Sequence, residues 1–141
     1  MKLRAVLIAL LAFIGMVDAF YLSMKRNAGV PCHITRGCTD VLTSKYSVVA
    51  GIPLPWFGLA FYITVLSLSV FKIFEDSQQA SATALRLIFY LSGAGLIVSA
   101  LLVGIQAFIL KAYCEYCLLS AALVLTIFLL SPNPGSNKLP D

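Results

Sequence analysis

Charge is scarce in this chain. Only 11% of its 141 residues are Asp, Glu, Lys or Arg, and 60% are hydrophobic, whereas soluble domains run at about 25% charged and about 45–50% apolar. That shortage excludes an ordinary soluble globule. The formal net charge of +4 carries no nucleic-acid signal, because the Lys and Arg residues stand at the ends of apolar segments, where they meet headgroups. Aromatic and basic residues are not interleaved on any soluble domain, and no internal repeat is evident.

What the chain has instead is four apolar runs. Residues 5–24 contain Asp18 as their sole charge, 54–71 follow, 87–110 are wholly uncharged, and 112–130 carry Glu115 near their start. Each approaches the roughly 20 residues that cross a hydrocarbon core of about 30 Å. The expected fold class is an all-α membrane protein, a bundle of four transmembrane helices forming one domain over residues 1–131. The basic start and a small-residue site at Ala19 also fit a cleaved leader. The run continues through Phe20, Tyr21 and Leu22, however, and so reads as a span.

Residues 25–53 form the long connection between the first two runs, "KRNAGVPCHITRGCTDVLTSKYSVVAGIP". Thr39 or Asp40 can cap a short helix reaching about Ala50, with Val41, Leu42, Tyr46 and Val49 as its apolar stripe. Gly51 and Pro53 then break it. Such a helix is expected along the membrane surface. The polar stretch "KIFEDSQQASATALR" reads as a solvated loop, and residues 132–141, rich in Pro, Gly and Asn, as a disordered tail. In the third run, Gly95 with Ser99 and Ala100 with Gly104 have the small-residue spacing that lets helices approach closely.

The four cysteines fall in two pairs. Cys32 and Cys38 follow the first run, and Cys114 and Cys117 sit where the third turns into the fourth. With four alternating spans, both connections lie on one side of the membrane, so all four sulfurs share a face. Positive charge does not say which: Lys25, Arg26, Arg36, Lys45 and Lys111 balance Lys2, Arg4, Lys72, Arg86 and Lys138, five against five. Thiols that cycle through disulfides belong on an oxidising side, which places them at the periplasm or cell exterior with both termini cytoplasmic. Cys114 and Cys117 share a face at a helix start, where unpaired N–H groups stabilise a thiolate. Cys32 and Cys38 are five residues apart in a loop eased by Gly37. One mobile dithiol and one fixed dithiol on a shared face suggest an electron relay. Rival readings are a zinc site, for which Cys-x5-Cys is a loose half-site, soft-metal transport, and two inert structural disulfides. No metal-ligand set is assigned.

The stretch "VPCHITRGCTDVLTSKYSVVAGIPLPWFGLAFY", followed by "YCEYC" at the head of a later span, resembles the vitamin K epoxide reductase family in its bacterial branch. The resemblance implies a four-helix bundle around a quinone, ubiquinone or menaquinone. It implies that Cys117 meets the quinone, that Cys114 exchanges with Cys38, and that Cys32 takes electrons from a separate thioredoxin-like protein of the periplasm. Ser44 matches the serine of the family's short surface helix. The implied activity is that of a quinone-dependent thiol oxidoreductase of oxidative protein folding in the inner membrane. Two departures argue against epoxide reduction. Pro53-Leu54-Pro55 replaces an amide-bearing stretch, and Ala121 stands where vertebrate members carry tyrosine. No fused thioredoxin-like domain is expected. Trp56, Phe57, Phe61, Tyr62, Tyr113 and Tyr116 are candidate walls of a quinone pocket, although Trp and Tyr also gather at membrane interfaces generically. His33 is either an electrostatic aid to Cys32 or a solvated side chain. Asp18, costly in a span, is either functional or paired with Lys25 or snorkelled outward. Gln106 is either a pocket donor or a helix-packing group.

Overall fold

Helix dominates because the apolar runs are rich in Leu, Ala, Ile and Phe and are interrupted by few breakers. In the computed structural model the described residues are 2–25, 45, 48–75, 78–111 and 114–131. Among them are four helices: α1 (Lys2–Lys25), α2 (Leu54–Phe74), α3 (Gln78–Gly104) and α4 (Glu115–Leu130). The helices α1, α2 and α3 with its continuation are long and apolar enough to cross a membrane, whereas α4 is a shorter apolar helix. At 1.5 Å per residue its 16 residues reach about 24 Å, short of the roughly 30 Å hydrocarbon core.

Each helix packs on its neighbours in the chain, and α4 closes the ring on α1. The most extensive contact, α1 with α2, has a sequence cause. Ala5, Ile8, Ala12, Gly15, Ala19 and Leu22 are all buried, alternating three and four residues apart. That is the seam of a left-handed helix pair. Mid-seam, Gly15 lies under the ring of Tyr62, and a Cβ built there would fall inside that ring. The core joins Ile8, Ala12 and Ala19 to Tyr62 and Val65, Leu85 and Ile88, and Leu123, Val124 and Ile127. Outside it, Leu10, Phe13, Ile97, Leu101, Phe108 and Leu129 stand exposed, as suits side chains facing lipid.

Three sequence expectations need correction. The polar stretch read as a loop is mostly helical: α2 runs to Phe74 and α3 begins at Gln78. Ala80, Ala82, Ala84, Leu85 and Arg86 are strong helix formers that extend the third helix beyond its apolar part. The short surface helix does not reach Ala50. Val48–Val49 (β1) pairs antiparallel with Ile52–Pro53 (β2). Ala50 and Gly51, at φ 55 and 81, form the two-residue turn between them, the left-handed geometry that hairpins favour. Three β-branched residues in four strand positions outweigh the helical spacing. Third, the run 87–110, expected as one helical span, is not α-helical to its end. It widens into a π-helical turn, Ile105–Leu110, closed by Lys111 in the left-handed conformation at φ 52.

Candidate functional site

The π turn positions one side chain that matters. Gln106 is buried, 3% exposed, and its Oε1 accepts the backbone N–H of Cys114 at 3.0 Å. The widened turn thereby reaches across the connection to the start of α4. π turns are rare and concentrate at functional sites. With its oxygen committed, the Gln106 amide has only N–H donors left to offer.

Cys114 is the cap of α4, extended at φ −108 and ψ 113. Its carbonyl accepts the N–H of Leu118 at 2.9 Å, and its Sγ accepts the N–H of Cys117 at 3.2 Å. The Cys114 and Cys117 sulfurs lie 2.6 Å apart, inside van der Waals contact. Both cysteines are free. The Cys114 sulfur, receiving a backbone N–H at a helix N-terminus, is the better placed of the two to bear negative charge. Their sulfurs are already close enough for bond formation to need little side-chain motion.

The two thiols look in different directions. Cys114 is fully buried, packed with Leu22 and flanked by Tyr21, Leu110, Tyr116 and Cys117. The Tyr21 and Tyr116 rings lie 5.4 Å apart at a tilt of 48°. Cys117 is half-buried and opens on a cavity of about 360 Å³ to which all four helices contribute. Its walls are apolar, with Phe57, Phe61, Leu91 and Val98 among them, and its polar positions are Asp18, Tyr62, Ser99, Gln106, Ser120 and Cys117. Volume and lining match sites that enclose small molecules, typically about 300–1,000 Å³ and mostly apolar.

Of the aromatic residues singled out from sequence, Phe57, Phe61 and Tyr62 line this cavity. Trp56 does not: it begins α2 turned outward, 49% exposed. Tyr116 packs on Tyr21 rather than on the cavity. Cys32, His33, Cys38, Ser44 and Tyr113 lie outside the described residues. Tyr62 also crosses the bundle, its Oη donating to the Ser120 carbonyl at 3.0 Å and lying 2.7 Å from the Ser120 Oγ. Asp18 is neither snorkelled nor bound at both oxygens. It is 8% exposed, its Oδ2 has no hydrogen-bond partner among the described residues, and it lines the cavity with Cys117. Sequence reasoning missed Ser120, Ala94 and Leu102 as lining residues. Gly95 and Ser99 were assigned to packing alone, yet Gly95 both meets Phe61 and Val124 and forms part of the wall.

Vicinal thiols against an apolar cavity, within helices of membrane-crossing length, define a class: polytopic helical membrane proteins with a thiol centre. Within that class the chain belongs to the vitamin K epoxide reductase family, whose model matches residues 6–131. It is also similar to the thiol-disulfide oxidoreductase LTO1 of Arabidopsis thaliana, with 35% identity over 123 residues, 82% of this chain. The match spans 32% of that relative's length.

Proposed function

We propose that this protein is a membrane thiol oxidoreductase that withdraws electrons from a thioredoxin-like protein and passes them to a membrane quinone. The observation that carries the reading is the division of labour between the thiols: Cys117 opens on an apolar cavity while touching Cys114, which faces away from it. Family membership and the name of the plant relative support thiol–disulfide chemistry.

In this reading the partner's thiolate attacks a Cys32–Cys38 disulfide at Cys32. Cys38 next attacks a Cys114–Cys117 disulfide at Cys114, leaving Cys117 as the departing sulfur. The cap geometry serves this step, since helix N–H groups stabilise sulfur anions. The four spans would place all four cysteines on the periplasmic face of the inner membrane.

The cavity fits a quinone ring in kind and size. Phe57 and Phe61 would hold its faces, and the Gln106 amide N–H donors would meet its oxygens. When bound, a quinone supplies a two-electron, two-proton sink oxidising enough to draw the exchange forward. The chain's own contribution is to exclude water with the apolar walls and to keep Cys117 at the cavity edge. Gln106 fixes Cys114, so that closing the disulfide needs no backbone motion.

The test is quinone reduction by purified protein in detergent, driven by a reduced thioredoxin-like partner, alongside the four single Cys→Ala variants and a metal assay. Turnover that vanishes in Cys114→Ala and Cys117→Ala is the expected result. Wild-type rates in Cys117→Ala would sink the relay. Stoichiometric bound metal without turnover would replace it with a metal-handling protein.

A further inference from the structure

Asp18 is a buried carboxyl that the relay does not use. It is buried on α1 and lines the cavity together with Ala19 and Leu22, with Oδ2 unpartnered among the described residues. Burying a carboxyl oxygen without a partner costs free energy, and stability gives no reason to keep one there. Its surroundings give a chemical reason. Cys117 lines the same cavity, and its thiol must shed a proton when the disulfide closes. The ionisable groups within electrostatic reach of Asp18 are Tyr62 from α2, and Cys114, Tyr116 and Cys117 at the start of α4. The residues of α3 and its π turn that line the cavity are not ionisable.

We propose that Asp18 is the proton carrier of the thiol centre, moving protons between the Cys117 sulfur and an acceptor of the quinone class held in the cavity. The inference rests on the thiol-to-quinone reading above. Closing the Cys114–Cys117 disulfide forms one S–S bond and releases two electrons and two protons. Both electrons and both protons go to the acceptor. Asp18 as carboxylate takes the proton from Cys117, and as carboxylic acid gives it to an acceptor oxygen, ending ionised as it began. With both sulfurs starting as thiols, once Cys117 has lost its proton that of Cys114 passes to the adjacent Cys117 sulfur and follows the same route. In a cavity with largely apolar walls such a carrier gives the leaving protons a route that does not depend on bulk water.

The experiment compares wild type, Asp18→Asn and Asp18→Glu in detergent, each shown by circular dichroism and elution volume to retain its fold. Pre-reduced protein is mixed with menadione or a short-chain ubiquinone, and the single-turnover rate is recorded. Separately, with no quinone present, disulfide closure is driven by diamide and followed by time-resolved infrared difference spectroscopy, which reports whether a carboxyl group is transiently protonated. The expected result is a fall of about 10²-fold or more in Asp18→Asn, the usual range for lost acid–base catalysis, with partial recovery in Asp18→Glu. A carboxyl band should appear in the wild-type difference spectrum and be missing from that of Asp18→Asn. Equal rates in wild type and Asp18→Asn would overturn the inference while leaving the relay intact. A slower Asp18→Asn with no carboxyl band in wild type would also overturn it, since Asp18 would then only shape the cavity. If wild type itself reduces neither quinone, the relay reading fails first and the proton role falls with it.

Discussion

Replacing Gln106 by leucine tests whether the π turn holds the thiol centre in place. Gln106 is 3% exposed, and its Oε1 is the acceptor for the Cys114 N–H at 3.0 Å. Leucine nearly preserves the volume, so the change removes an acceptor rather than opening a large void. The Cys114 N–H is then left in apolar surroundings, which costs about 1–3 kcal/mol. At about tenfold per 1.4 kcal/mol, the folded-to-unfolded ratio should fall measurably. Unfolding in detergent can be followed by the fluorescence of Trp56, the chain's only tryptophan. Gln106→Glu, which keeps an acceptor oxygen, should lose less. The same loosening should slow diamide-driven closure of the Cys114–Cys117 disulfide, because the Cys114 cap would no longer be anchored. If Gln106→Leu unfolds within about 0.5 kcal/mol of wild type, the scatter of an inert substitution, and closes its disulfide at the wild-type rate, the hydrogen bond does not organise the site.

Three further outcomes follow from the packing. Gly15→Ala puts a Cβ into the Tyr62 ring, so thermal unfolding should show a loss of about 1–3 kcal/mol from overpacking; an unchanged melting temperature would mean that α1 and α2 can separate there at no cost. Tyr62→Phe keeps the ring and deletes the bonds to Ser120, and should cost about 0.5–1.5 kcal/mol in the same assay, with a gain in stability counting against a role in tying α2 to α4. In the reduced protein a small apolar maleimide should label half-buried Cys117 about tenfold or more faster than sealed Cys114, access being one control on thiol reactivity. Mass spectrometry reads the order directly, and Cys114 reacting first would contradict the assignment of faces.

The helices were legible because a buried seam leaves a period in the sequence: small and aliphatic residues recur every three or four positions in α1. The Cys-x-x-Cys pair at the head of α4 was equally legible, since i and i+3 share a helix face. Other features left no such mark. Nothing in "IQAFIL" distinguishes a π turn from an α-helical one, because the widening is set by where the chain must deliver Gln106 and Cys114. Val41, Leu42, Tyr46 and Val49 suit a helical stripe, but the Ala50-Gly51 turn and β-branched neighbours settle Val48–Pro53 as a hairpin. The fourth helix is shorter than its apolar run because Cys114 takes an extended conformation, and helix begins only at Glu115. The cavity was the least legible feature: its walls combine Gly95, Ala94 and Ala121 with larger side chains from every helix, and small residues by themselves signal close packing.

The two departures from vertebrate relatives acquire a meaning once the cavity is drawn. Leu54 and Pro55 line it where the resemblance places an amide-bearing stretch, and Ala121 lines it where the resemblance places a tyrosine. At both places the wall is apolar and donates nothing from a side chain. Any ligand with polar oxygens must then be oriented by the polar positions that remain. Tyr62 is tied to Ser120, and the Gln106 oxygen is tied to Cys114, so their freedom to adapt is small. Asp18 alone among these side chains offers a buried oxygen with no partner, and it shares the cavity with the sulfur that must shed a proton. The sparse charge that first marked the sequence thus has its exception within the first span at Asp18, and its placement at the thiol-bearing cavity favours chemistry over packing as the reason it is there.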